Sequence, residues 1–172
     1  QQQQARQQQL DQFAVSLQQQ QQSWLARLAT LNQQLQANGS SSLMTSPQYT
    51  QLEMEIFEAE EKSNLSQVEL DLARLKDKFA DLSLTPNENL SLSNMTTIDH
   101  EVETLIEQLK QIDTLLHNKQ QLLQQRIKIT KNAIDEGSMT SSDAQSYLAM
   151  LYGIQNSYNK QLSYADALAK QV

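Results

Sequence analysis

His100 and His117 are the residues best suited to metal ligation or general-base work, and their spacing argues against both. They share one helical pattern 17 positions apart, about 25 Å along the axis at 1.5 Å per residue, too far to hold one ion together. Glu53, Glu55, Glu58, Glu60 and Glu61 form an acidic run without the alternating oxygen ligands and glycine turn of a calcium loop. That run reads as a solvated helix face. Serines are plentiful, but a serine nucleophile needs a base within hydrogen-bond reach and an oxyanion hole. Gly39, Gly137 and Gly153 are isolated, so no glycine-rich loop is available to cradle a phosphate. Cysteine is absent, which excludes disulfides and thiolate metal sites. The reading is a non-enzymatic chain with no cofactor and no metal.

Aromatic side chains offer contact rather than catalysis. Phe13, Trp24, Phe57 and Phe79 lie on or beside apolar seams and are expected in the core. Tyr147, Tyr152, Tyr158 and Tyr164 crowd one helical pattern, and one stripe cannot take all four. Tyrosine suits interfaces because its ring buries area while its hydroxyl stays wet, so a partner-facing role for Tyr152 or Tyr164 stands as the alternative to packing.

The elements that must carry these residues are long helices. In 172 residues there are only 3 glycines and 2 prolines, too few turns for a β-rich fold. Glutamine, 29 residues in all, is a good helix former, and its tracts sit between heptad-spaced apolar residues. Leu10, Ala14, Leu17, Gln21, Trp24, Leu28, Leu31 and Leu35 alternate spacings of four and three, a coiled-coil seam with one polar interruption. A second seam runs through Leu65, Val68, Leu72, Leu75, Phe79 and Leu82. Both are narrow stripes, as paired helices require. A third seam, Val102, Leu105, Leu109, Ile112 and Leu116, drifts onto Leu122, Leu123, Ile127, Ile129, Ala133 and Ile134, leaving Lys119 and Arg126 in its old track. The fourth is Ala144, Leu148, Leu151, Gln155, Tyr158, Leu162, Ala165 and Ala169.

Breaks between the seams are equally legible. Asn38-Gly39 ends the first helix, and Ser46 with Pro47 opens the second. Thr85-Pro86-Asn87-Glu88 marks a joint, and Thr96 to Asp99 is a capping box expected to open the third helix. Glu136-Gly137 ends that helix, and Thr140-Ser141-Ser142-Asp143 caps the fourth. Met44-Thr45-Ser46 and Met139-Thr140-Ser141 repeat one another across the two turns. The fold expected is all-α: long antiparallel coiled-coil hairpins of about four helices, elongated. Residues 1–83 form a first hairpin (turn near 38–47), 84–95 the joint, and 96–172 a second hairpin (tip near 136–142). Matched lengths place both Met-Thr-Ser turns at one end. Packing as one four-helix bundle or as two end-linked hairpins stays open.

The formal net charge is −7, and no Lys/Arg cluster offers a footprint for nucleic acid or an anionic membrane. No apolar run reaches the roughly 18 residues of a membrane span, and no signal peptide is evident. A start at Gln1 rather than Met suggests a processed product or a fragment. The Asn-x-Ser/Thr sequons at Asn38, Asn64, Asn89 and Asn94 are close to chance in so Asn-, Ser- and Thr-rich a chain.

Arg126 to Lys160, with Asp135-Glu136-Gly137-Ser138-Met139-Thr140-Ser141-Ser142-Asp143 at its centre, resembles the hairpin tip of HlyD-type periplasmic adaptors. These are the membrane fusion proteins of type I secretion and bacteriocin export. Ala133, Ile134, Gly137, Thr140, Asp143, Tyr147 and Leu148 sit where that pattern places them. The family's tip arginine falls on Ile129 here, with Arg126, Lys128 and Lys131 close by. The resemblance implies a structural adaptor for protein transport that bridges an inner-membrane ABC transporter and an outer-membrane channel and self-associates around the export path. It implies a periplasmic location, with an inner-membrane anchor outside these residues. Gly137, Ser138, Met139, Thr140 and Ser141 would form the partner-binding tip, flanked by contacts from Arg126, Lys128, Lys131 and Tyr147. The alternative is a secreted coiled-coil protein, such as a type III needle-tip or translocator component, or a generic coiled-coil scaffold.

Overall fold

Four helices, α1 (Gln2–Gly39), α2 (Ser46–Leu84), α3 (Leu92–Asp135) and α4 (Ser141–Lys170), make up the regular structure of the computed structural model. It describes residues 2–39, 46–84 and 92–171. The first turn and the Pro86 joint lie outside the described residues, as do the side chains of Asn38, Ser46 and Pro47. The all-α expectation holds, and five of the six helix ends at the turns and the joint fall within a few residues of the sequence signals. The exception is the start of α3, at Leu92 rather than Thr96. Extending an existing helix by one turn fixes few residues per hydrogen bond gained, so an internal capping box does not by itself force a start.

Direction follows from the pairs the helices make. Arg6 forms an ion pair with Asp77, Gln21 hydrogen-bonds Gln67 and Arg27 pairs with Glu55, so α1 and α2 run antiparallel. Gln120 donates to Asn159, and Lys131 lies over Tyr152, so α3 and α4 do too. Glu61 and Lys76 of α2 meet Tyr158 and Tyr164 of α4, which makes those two helices parallel. The N-terminal ends of α2 and α4 therefore lie at the same end of the molecule.

The helices pack in a way that neither sequence alternative describes. α2 touches α1, α3 and α4, whereas α1 touches α2 alone. The main core is a three-helix cluster: Leu65, Val68, Leu72 and Leu75 of α2, Leu105, Leu109, Leu116 and Leu123 of α3, Leu151, Ile154, Tyr158 and Leu162 of α4. A smaller cluster joins Leu31 of α1 to Leu52 and Ala59 of α2, with Trp24, Leu28, Leu35 and Ile56 packed around it. The accessible surface is 11287 Å², roughly a third above the ~8,600 Å² of a globular monomer of this mass. The molecule is accordingly elongated.

Being central, α2 is apolar on two sides. Besides the seam read from the sequence it carries Leu52, Ile56, Ala59, Ser63, Ser66 and Leu70, again spaced four and three, on the opposite face. Of these, Leu52, Ala59, Ser63, Ser66 and Leu70 are buried. Ser66 satisfies its hydroxyl on the Lys62 carbonyl at 3.1 Å. Small side chains here let α1 approach closely, and their low hydrophobicity hid the stripe from a periodicity search. The narrow-stripe reading holds for α1 and fails for α2.

Other sequence assignments shift by one position. α4 sits in the cleft between α2 and α3, so its buried face turns onto Tyr147, Ile154 and Leu168 in place of Leu148, Gln155 and Ala169. Leu148 remains half-buried against the core. On α3, Ile129 is exposed, and Thr130 takes the inward position beside Ile127. Phe13 is exposed as well, because α1 has only one neighbour to cover its flanks.

Candidate docking tip

The α3–α4 turn is closed by backbone geometry that its sequence dictates. Gly137 has φ +73°, in the left-handed region that only glycine enters freely. Its N–H donates to the Ile134 carbonyl at 3.1 Å, and the Ser138 N–H donates to Ala133 at 3.0 Å. These two bonds are a Schellman motif, which satisfies the last carbonyls of α3. Thr140 follows in extended conformation as the N-cap, its hydroxyl accepting from the Asp143 N–H at 3.2 Å. Asp143 adds an anion to the first turn of α4, where the helix dipole favours it.

Of the five proposed tip residues, Gly137, Ser138, Thr140 and Ser141 are exposed, while Met139 is half-buried and packs against the main core. Met139 therefore anchors the turn rather than presenting itself. The flanking residues divide similarly. Lys128 is exposed, and Lys131 lies 5.9 Å from the centroid of the half-exposed Tyr152 ring. Arg126 stacks 4.7 Å from the Phe57 ring of α2, and its charge acts on Tyr147 of α4. Tyr147 itself is only 6% exposed and belongs to the core, so it supports the tip from inside instead of flanking it outside. Burial raises the Tyr147 phenol above its ordinary value, and the Arg126 guanidinium offsets part of that rise. Two turns below the end of α3, Ile129 is 64% exposed, the highest value among the exposed large hydrophobics.

The other chemical candidates also find places. His100 borders a groove beside Leu82 and Leu105, and His117 pairs with Asp113 on its own helix at 3.5 Å. The two histidines stay far apart, and no cluster of potential metal ligands occurs among the described residues. Tyr152 and Tyr164 are each 39% exposed, as the crowding of tyrosines predicts, and Lys76 covers Tyr164.

The acidic run is where sequence reading failed. Glu61 is buried, not solvated. One of its carboxylate oxygens accepts from Lys119 Nζ at 2.9 Å and the other from the Tyr158 hydroxyl at 2.6 Å. The cluster thus ties α2, α3 and α4 together at mid-height. Burial first, then the hydrogen bond and charge of Glu61, push the Tyr158 phenol far above its ordinary value. A signal was present: Lys119 occupies an apolar track of α3, and a charge there needs an opposite charge on the facing helix.

No helix among the described residues is long and apolar enough to cross a membrane. Comparison of the chain with protein-family models, with curated proteins and with solved structures returned no match.

Proposed function

We propose that the chain is the helical hairpin part of an HlyD-type secretion adaptor, which docks end-on through the α3–α4 turn in the cell envelope. The observation that carries the reading is the turn itself. A Schellman closure and a threonine cap hold a short loop rigid with Ser138, Thr140 and Ser141 facing outward, while Met139 pins it to the core. A preorganised tip loses little conformational freedom on binding, the property a docking element needs. Lys128, Lys131 and the exposed Ile129 add charge and an apolar foothold on the flank. α2, α3 and α4 supply a rod with helices of about 45–66 Å, long enough to bridge two protein surfaces.

The test uses the full-length protein in its secreting cell. Ser138→Arg with Ser141→Arg leaves Gly137 and the Thr140 cap intact and places two bulky cations on the tip. Cargo export should fall while adaptor abundance stays normal, and Ser163→Arg, exposed on α4 away from the tip, should have no effect. Unchanged export by the double variant at normal abundance would overturn the docking reading.

A further inference from the structure

α1 is bound to the rest of the molecule through one surface only. Among the described side chains of α1, Leu17 and Leu31 alone are buried, against eight in the 30 residues of α4. The centre of its seam is Gln21, which donates to Gln67 of α2 at 3.0 Å, a polar pair where a helical seam ordinarily places an apolar one. The three-helix core contains no residue of α1. Local opening is easiest where few side chains are fully buried, so the helix with the fewest of them and a single neighbouring helix opens first. Release of α1 would uncover the second stripe of α2, from Leu52 to Leu70, and leave the α2–α4 core intact.

What fits that stripe is visible in the structure. It is bordered by Asp77 and Asp81 opposite Arg6, by Gln67 opposite Gln21, and by Glu55 opposite Arg27. Charge, polar and apolar positions match along the whole seam, and every copy of the chain carries both halves of the match. We infer that α1 is an exchangeable arm. It opens from α2 as a unit, and the stripe it uncovers receives α1 of a second copy of this chain. Reciprocal exchange gives a closed, two-fold arrangement in which both stripes are covered by the same contacts as before. Closure within one chain is favoured by an effective concentration on the order of millimolar, so exchange grows with protein concentration. The inference is independent of what the α3–α4 turn docks to.

The absence of native cysteine makes the experiment direct. Gln21→Cys and Gln67→Cys are made on separate 172-residue chains, mixed and treated with a short bis-maleimide. The same two substitutions in one chain serve as the proximity control. Exchange predicts dimers linked from position 21 to position 67, with a yield that rises with concentration. It also predicts that α1 amides of the unmodified chain exchange hydrogen at least tenfold faster than the cores of α3 and α4. Linking 21 to 67 within one chain should abolish both effects. Should Gln67→Cys disturb folding, Arg27→Cys with Glu55→Cys tests the same seam. Efficient linkage within the control chain but no linked dimer from the mixture would overturn the inference, as would α1 protection equal to that of α3 and α4.

Discussion

Lys119→Met removes the cation from the buried cluster and leaves the Glu61 carboxylate with the Tyr158 hydroxyl alone. The Glu61 side chain is 4% exposed and that of Lys119 17%. Breaking a fully buried ion pair costs about 3–5 kcal/mol, because one charge remains desolvated without its counterion. Partial water access at Lys119 lowers the expected cost to about 2–4 kcal/mol. For a domain of this size that is a fall of very roughly 4–16 °C in melting temperature. Tyr158→Phe deletes only the hydroxyl donor, a hydrogen bond to a charged group worth about 1.5–3 kcal/mol. The triple variant Glu61→Leu, Lys119→Met, Tyr158→Phe removes every polar partner together, and its stability should return to within about 1 kcal/mol of the wild type or exceed it. The assay is urea denaturation followed by helical circular dichroism, with equal m-values as the check that each unfolding stays two-state. A loss below about 1 kcal/mol in Lys119→Met would show that the pair is effectively solvated. A triple variant no more stable than Lys119→Met would refute the coupling of the three groups. The polar cluster also opposes a heptad slip of α2 against α3 and α4, which would strand its charges. The triple variant should therefore bind more of a hydrophobic dye than the wild type even where its stability is restored.

Further outcomes follow from the same geometry. Gly153→Ala meets nothing within 4 Å on an exposed face of α4, and it should stabilise by about 0.5–1 kcal/mol by removing glycine from a helix interior. Gly137→Ala forces a side chain to φ +73° and should cost about 1–2 kcal/mol, with Thr140→Ala costing ~1 kcal/mol through the lost cap, both read by thermal melts. Burial raises the Glu69 carboxyl above its ordinary value, only partly offset by Lys160. Its stabilising contribution is thus present below the unfolded value and lost as pH rises through the folded one, so Glu69→Gln should raise the melting temperature at pH 7 and lose that gain in strong acid. Tyr158 follows the same sign at alkaline pH: its contribution is complete below the ordinary value of 10.0 and is lost above it. Its phenolate absorbance should therefore appear together with unfolding.

Much of the fold was legible because helices declare themselves locally. The α1 seam from Leu10 to Leu35 picks out the least exposed positions of that helix apart from Arg6, and its polar break at Gln21 is where a polar partner waits on α2. The Glu136-Gly137 stop and the Thr140 cap were read residue for residue, since both arise from backbone groups that only neighbouring residues can satisfy. Tyr147 was misplaced because a tyrosine next to a seam residue faces in or out according to how many helices surround it. Glu61 was misplaced because its exposure depends on Lys119 and Tyr158, far away in the chain.

The sequence alone determined that the chain is helical, where α4 begins, how the α3–α4 turn closes and which stripe each of α1 and α3 buries over most of its length. These are matters of period, capping and glycine conformation, settled within a few residues. Only the tertiary structure decided that α2 stands at the centre with apolar faces on opposite sides, that α1 is peripheral, and that one glutamate of an acidic run is buried. Those depend on which helix finds which neighbour. That choice is made by the summed burial of stripes, including a stripe of alanine and serine too weakly hydrophobic to be noticed until another helix covers it.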